Sequence, residues 1–548
     1  MTTRPLARAA LAAGLALALA LAGSAAAQNR PSEEELFGTP PAKEGGPPSE
    51  IPPPPKESTE GATPRPSESE LFGNQASPAS PGAPPRAEVP REKEDPLKVG
   101  GQIYLRAATF AQQDQAPRNW ALRVPDLLDT FLDVRPNDRV RGFVLGRLFY
   151  DPTILPPVPG APPPSLSTFL VPQSVSGQGA ANPSAVLDQL WINFDVERRA
   201  FVTVGRQHTK WGVGRFWNPT DYLHPVRRDP LAVFDVRTGT SMVKVHVPWE
   251  AKGWNLYGVA VVEDVAGDPP RKPDGTQDGV NRLGRIGAGG RAEVVLGGAE
   301  IGADALLQDG HRPRFGVDVS GGIWDVDLYG EAALRTTVDT PRWREVPGET
   351  DVLLRYQRAD PIGWLPQVVL GATYSVKYSD EDSVTFGAEY FYDRSGYDSP
   401  RIYPGLLAIS SLSPSPQFTF APPGGSPTSI ANPYAGQPNP FTSFYLGRHY
   451  GGAYVSLPKP GSWNNTNFTL SVLGNLSDGS FVARLDHNVL LLTYLRLETY
   501  VASHFGSREG EFRLGFTIPA GTVGSVPFQG FTTEPAVFEA GVALRVSL

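Results

Sequence analysis

The chain has 548 residues, of which 19 % are charged, with 58 glycines, 57 prolines and no cysteine. The lack of cysteine excludes a disulfide framework, a thiolate metal site and a lipid-bearing cysteine anchor. A formal net charge of −8 weighs against a nucleic-acid partner.

Residues 1–27 read as a secretory signal peptide. Arg4 and Arg8 give the positive start, Ala9 to Ala22 the apolar centre, and Ala25-Ala26-Ala27 the small-residue cleavage site. The apolar run is shorter than the roughly 20 residues a spanning helix needs. No later run is long enough either, so a mature chain that crosses a membrane must do so as a closed barrel.

Residues 28–97 are rich in Pro, Glu, Ser and Gly and poor in bulky apolar residues. They cannot bury enough surface to offset ordering entropy, so a disordered periplasmic tail is expected. Within it Pro31-Ser32-Glu33-Glu34-Glu35-Leu36-Phe37-Gly38 is echoed by Pro66-Ser67-Glu68-Ser69-Glu70-Leu71-Phe72-Gly73. One reading is a duplication inside a linker. The other is a docking motif used twice, with Leu36, Phe37, Leu71 and Phe72 anchoring a periplasmic protein and two copies raising avidity.

From Lys98 onward, alternating runs of about ten residues separated by turn signals continue to the last residue, the texture of an all-β transmembrane antiparallel barrel. In Ile323 to Arg335, Trp324, Val326, Leu328, Ala332 and Leu334 share one face, and Asp325, Asp327, Tyr329, Glu331 and Arg335 the other. Short connections alternate with long ones. The short turns include Arg135 to Asp138, Glu197 to Arg199, Gly297-Gly298, Gly321-Gly322, Ser379 to Asp382 and Asp486-His487-Asn488. The long connections are 151–185, 208–238, 264–283, 336–349, 394–444 and 504–534. This parity predicts about 18 spanning strands, with 16 as the alternative, short turns in the periplasm and long loops outside. Strand-like pieces at 350–358 and 510–518 break the parity and are assigned to external loops. In Pro535 to Leu548, Phe538, Ala540, Val542, Leu544, Val546 and Leu548 share one face. An apolar edge of that kind is an aggregation hazard unless paired, so closure against Gly100 to Phe110 is expected.

Between two of these strands lies Gly205 to Arg237, GRQHTKWGVGRFWNPTDYLHPVRRDPLAVFDVR. It holds six bases, Arg206, Lys210, Arg215, Arg227, Arg228 and Arg237, against three acids, Asp221, Asp229 and Asp235. Charges facing each other in a narrow, partly dehydrated slot select ions by sign. The expectation is an inward loop whose Arg206, Lys210, Arg215, Arg227 and Arg228 attract anions while Asp221 and Asp229 set the opposing field. The alternative is a loop pinned to the wall by salt bridges, with Trp211, Phe216 and Trp217 in a girdle at the membrane edge.

The segment resembles the Gly-Arg-Gln…Trp-Gly…Asn-Pro-Thr-Asp pattern of a group of large, uncharacterised proteobacterial porin-like barrels. Gly205, Arg206, Gln207, Trp211, Gly212, Asn218, Pro219, Thr220 and Asp221 match it, and Glu389-Tyr390-Phe391-Tyr392-Asp393…Gly396-Tyr397 resembles their strand end before a long loop. The likeness covers 98–548 and implies an outer-membrane barrel with a passive channel, without naming a cargo. A more distant similarity is to barrels that export acidic polysaccharides such as alginate, whose basic lumen the Arg-rich stretch suits. Leu548 departs from the aromatic last residue usual in such barrels. A third reading is a closed, envelope-organising barrel that works through its loops and tail.

Enzyme chemistry finds little purchase. The histidines His208, His224, His246, His311, His449, His487 and His504 sit in no nucleophile or zinc motif. Gly284 to Gly290 lies in a strand pattern with no helix after it, so it does not read as a phosphate loop. Asp264, Asp268, Asp274 and Asp278 lack the spacing of a calcium loop. No cofactor and no metal is expected, and a plugged, energised transporter is disfavoured by the short tail.

Overall fold

Residue alternation fixes which way each strand faces, and strand pairing then fixes the shape. The computed structural model describes residues 96–548 apart from 155–181, 225, 234, 236, 264–282, 310, 337, 339, 350, 352–353, 380–381, 413–416, 421–427, 433, 435–436, 438, 519, 524–525 and 529. Residues 1–95, which take in the expected signal peptide and both octets, and Asp264, Asp268, Asp274 and Asp278 lie outside the described residues.

Eighteen long strands pair antiparallel in chain order and close on themselves. They are β1 Leu97–Gln112, β2 Asp126–Asn137, β3 Val140–Tyr150, β4 Ser184–Val196, β5 Ala200–Gln207 and β6 Thr240–Trp249. The ring continues with β7 Trp254–Val261, β8 Gly287–Leu296, β9 Ala299–Leu307, β10 Arg314–Ile323, β11 Val326–Arg335 and β12 Leu365–Lys377. It ends with β13 Ser383–Asp393, β14 His449–Pro458, β15 Thr466–Asn475, β16 Ser480–Leu492, β17 Leu495–Gly506 and β18 Ala536–Ser547. A nineteenth member of the sheet, Ala121–Arg123, is only a short rung on the loop end of β1.

Closure is between β1 and β18, in register from Gln102↔Ser547 to Phe110↔Glu539. The apolar last strand therefore has no free edge. Tyr329, Glu331 and Arg335 are buried on the inner face of β11, as alternation indicates. Outward positions are apolar and exposed: Leu190, Ile192 and Phe194 on β4, Phe315 and Val317 on β10, Val542 and Leu544 on β18. Inward positions carry the charge, paired within the lumen. Arg147 bridges Asp129 (2.7 Å) and Asp188 (3.2 Å), and Arg291 bridges Glu293, Asp304 and Asp318. Such pairs are tolerated away from water because each charge is met by its partner.

Three turns differ from the sequence reading, the first only by a shift: Arg135 to Asn137 belong to β2, and the turn is Asp138-Arg139. Asp486-His487-Asn488 is not a turn; β16 runs through it to Leu492, and the turn is Thr493-Tyr494. The polar triplet is accommodated in the wall. Asp486 accepts a hydrogen bond from Arg484 Nε (2.9 Å) on the inner side, while the His487 ring stacks on Phe468 with centroids 4.6 Å apart. Gly321-Gly322 likewise belong to β10, and the turn is Trp324-Asp325. Trp324 takes the left-handed φ of 54° that usually calls for glycine, with its ring almost fully exposed.

At the loop end, the connections 336–364, 394–448 and 507–535 share a core of their own. Trp343 and Tyr356 come from the hairpin Trp343–Glu345/Tyr356–Arg358, and Ile402, Leu406 and Ile409 from around the helix Tyr403–Leu412. Leu446 and Leu514 complete it. The 350–358 and 510–518 pieces thus belong to loops rather than to the wall.

A buried acid, Glu511, ties this cap to the barrel. Its carboxylate accepts from the Phe444 backbone N–H, the Tyr450 hydroxyl and Asn475 Nδ2. Burial, and then the charge of Asp478, push its pKa up to about 8. A folded-state value above the ordinary carboxyl range means that the contribution is complete at acid pH and is lost as pH rises through about 8. Proteolytic cleavage within 507–518 is therefore expected to accelerate as pH rises from the ordinary carboxyl range to about 8 and to level off above it. Glu511→Gln is expected to abolish that pH dependence; cleavage that accelerates equally in the variant overturns the assignment.

Candidate functional site: the loop across the lumen

The connection between β5 and β6 does not lie over the rim. It crosses the lumen, with contacts on the near wall and on the opposite one. Arg215 stacks its guanidinium on Tyr454 of β14 at 3.8 Å, nine strands round from β5 in a ring of eighteen. Phe216 and Trp217 are buried in a cluster with Tyr329, Val369, Phe391 and Tyr454 of the inner wall, and Trp217 stacks on Phe391 at 5.7 Å. Trp211, Tyr222 and Leu223 pack on Met242, Val259, Val261 and Leu306. The three aromatics are lumen filling, not a membrane girdle.

Two wall carboxylates hold the loop by its backbone. Glu331 of β11 accepts from the N–H groups of Val213 (2.9 Å), Gly214 (3.0 Å) and Thr220 (2.6 Å) and from the Thr220 hydroxyl (2.8 Å). Glu389 of β13 accepts from the N–H groups of Arg215 (2.7 Å), Phe216 (3.1 Å) and Trp217 (2.8 Å) and from the Tyr329 hydroxyl (2.9 Å). A non-hydrogen-bonded loop placed in a lumen leaves its N–H groups to be satisfied, and each acid satisfies three. The close turn needs glycine: Gly212 has φ of 86°, and a Cβ on Gly214 would stand 1.8 Å from the Trp217 carbonyl oxygen.

Beyond this anchored part the loop returns through a charged stretch. Arg227 lies over the Tyr445 ring at 5.8 Å, and Arg228 donates to the Arg215 carbonyl oxygen (3.4 Å). The Tyr445 hydroxyl, whose pKa burial pushes up to about 12, donates to the Arg228 carbonyl oxygen (3.0 Å). From the wall, Arg484 donates to the Leu231 carbonyl oxygen (2.9 Å). Asp229 caps the local turn by accepting from Leu231 N–H (2.8 Å).

The expected site residues are thus distributed unevenly. Arg215, Arg227, Arg228 and Asp229 are brought together, half-buried, on the lumenal stretch of the loop. Lys210 is exposed nearer the loop's start. Asp221 is buried and committed to His224 and Arg237 (both 2.9 Å), whose positive charges hold its carboxyl well below the ordinary range despite burial. Arg206 stands apart. It shares the outward parity of Val202 and Val204, lies across from Leu190 and Ser241, and pairs with Glu263 at 3.0 Å. Sequence reasoning missed Glu331, Glu389 and Arg484. Among the described residues no group of three or more His, Asp or Glu is placed to hold a metal ion.

No family model matches the chain, and no curated protein matches it. Solved structures of similar fold include OccK8 (OprE) of Pseudomonas aeruginosa, with TM-score 0.45 and 8 % identity over 82 % of this chain and 98 % of that one. Another is OccAB4 of Acinetobacter baumannii, with TM-score 0.43 and 9 % identity over 83 % and 99 %. A third is OprB of Pseudomonas putida, with TM-score 0.41 and 9 % identity over 82 % and 94 %. At TM-scores below 0.5 the likeness adds nothing to the strand pairing described above.

Proposed function

We propose that the chain forms a passive, porin-like channel in the bacterial outer membrane for small hydrophilic, anionic solutes, with the 208–239 loop as its constriction. The apolar outer face supports a lipid surroundings, since a closed barrel leaves no backbone group unpaired in hydrocarbon. Residues 1–27 as export signal and 28–97 as a periplasmic tail complete this reading.

One observation carries it: the loop is anchored to the far wall by Glu331 and Glu389 while Arg215, Arg227 and Arg228 remain half-buried beside it. A permeating solute must pass those guanidiniums at short range. The inner wall adds to the field through Arg106 and Arg484, both over the Tyr500 ring (5.1 and 4.1 Å). Transport is diffusion down a gradient and involves no chemistry. Purified full-length protein in a planar bilayer is expected to give stepwise conductance with anion preference. An absence of steps over many insertions sinks the channel reading.

A further inference from the structure

Where the loop leaves and rejoins the wall, four titratable side chains form a chain. Asp188 sits at a β-bulge, where Leu145 pairs with Gln189 but Gly146 with Leu187, so its side chain turns inward. Its Oδ1 lies 2.8 Å from His208 Nε2 and also accepts from Gly239 N–H (3.1 Å). One carboxylate oxygen thus holds both ends of the loop. His224 Nδ1 lies 2.9 Å from Asp221 Oδ1, and His224 Nε2 lies 3.3 Å from His208 Nδ1, with the rings stacked at 5.4 Å.

A neutral imidazole has one N–H. If each ring donates its N–H to its own carboxylate, the two facing nitrogens are both lone pairs, and the contact between them is repulsive. A single additional proton converts that contact into an N–H···N hydrogen bond. The surroundings favour it. The charged groups facing the pair are Asp129 from β2, Arg147 from β3, Asp188 from β4, and Asp221, Asp235 and Arg237 from the loop, joined in one network. With Arg228, whose charge acts on Asp235, that is four carboxylates against three guanidiniums, a deficit of positive charge that one imidazolium offsets.

We propose that Asp188–His208–His224–Asp221 is a one-proton lock at the root of the lumen loop: it holds when the pair carries one shared proton and releases when acid supplies a second. The second proton comes from solvent, reached through His208, which keeps 26 % of its side-chain surface. It places N–H against N–H and two charges side by side, so the ring–ring bond breaks while both carboxylate contacts remain. Burial, the largest influence, holds the His208 pKa below the ordinary imidazole value against the pull of Asp188, and His224 adds to the depression. A depressed folded-state value means that stability is present at and above the ordinary value and lost as pH falls through the depressed one.

Hydrogen exchange of the full-length protein in detergent, corrected for intrinsic exchange, tests the lock without depending on conduction. Between about pH 7 and about pH 4.5 the amides of 208–239 are expected to open about tenfold more often while those of β12 and β13 hold. The variant H208Q/H224N keeps a side-chain N–H for each carboxylate but removes both titrations, so it is expected to show no such rise. A wild type whose loop exchange is flat, or a variant whose exchange still rises, overturns the proposal. Nitrogen-15 spectra of the wild-type histidines give a second reading that needs no variant. One charged ring in this pair is expected near neutrality, and two neutral rings there overturn the lock.

Discussion

Replacing Arg227 and Arg228 together by glutamate is expected to turn the channel from anion-preferring to weakly cation-preferring. The change is local and large. The stretch Gly205 to Arg237 carries six bases against three acids; the double variant carries four against five. Both side chains are half-buried on the lumenal part of the loop, where fields are screened less than at an open surface. The barrel should fold as before, because the strand ladders are untouched and the loop's backbone anchors lie elsewhere: Glu331 and Glu389 take N–H groups from residues 213–220. In a tenfold salt gradient, ideal selectivity for a monovalent ion corresponds to about 59 mV. A shift of the zero-current potential on the order of 20–40 mV toward the cation limit is expected, well within that bound. An unchanged potential places the selectivity elsewhere, with Arg106 and Arg484 of the wall as the next residues to test. The single change Arg206→Glu serves as the control. It lies at the outward register and already pairs with Glu263, so the zero-current potential is expected to stay where it was.

Barrel architecture was legible because period-2 alternation is a property of the chain itself. The two faces of β11 follow from counting alone, and the closure of the last strand on the Gly100 to Phe110 stretch follows from the need to pair an apolar edge. The turns failed where local chemistry was ambiguous. Asp486-His487-Asn488 looks like a turn because it is polar, but an inward aspartate with an arginine two residues away and an outward histidine under a phenylalanine are satisfied in a strand. Trp324 at φ of 54° carries no turn signal at all. The same counting could have set Arg206 aside, since positions 202, 204 and 206 share one face. It could also have marked Glu389, whose inward side chain has Gly371 and Gly452 as cross-strand neighbours. An acid flanked by two glycines leaves room for an incoming backbone, and the Phe216 ring does lie against Gly452. What no count provides is the path of the loop, because a contact between residues 217 and 389 is fixed by the closed ring and not by either segment.

Removing both anchors tests that path directly. Glu331→Ala with Glu389→Ala deletes the acceptors of six loop backbone N–H groups and of the Thr220 and Tyr329 hydroxyls. Each donor left buried without a partner costs about 1–3 kcal/mol, so the seated loop loses far more than its aromatic contacts with the wall can offset. The eighteen strands keep their ladder bonds, and the folded barrel is expected to survive, read as retained β-sheet signal and resistance of the strands to protease. The loop is not expected to stay seated. Single-channel conductance should rise about twofold or more, anion preference should fall, and protease should cut within 208–239. The paired change Glu331→Gln with Glu389→Gln separates anchoring from charge. Each amide keeps one acceptor oxygen, so an intermediate conductance is expected. If the alanine variant folds and conducts as the wild type does, the loop is held by its aromatic packing alone. The wall carboxylates would then be passengers, and the constriction would have to be sought in the Trp217–Phe391 and Arg215–Tyr454 stacks.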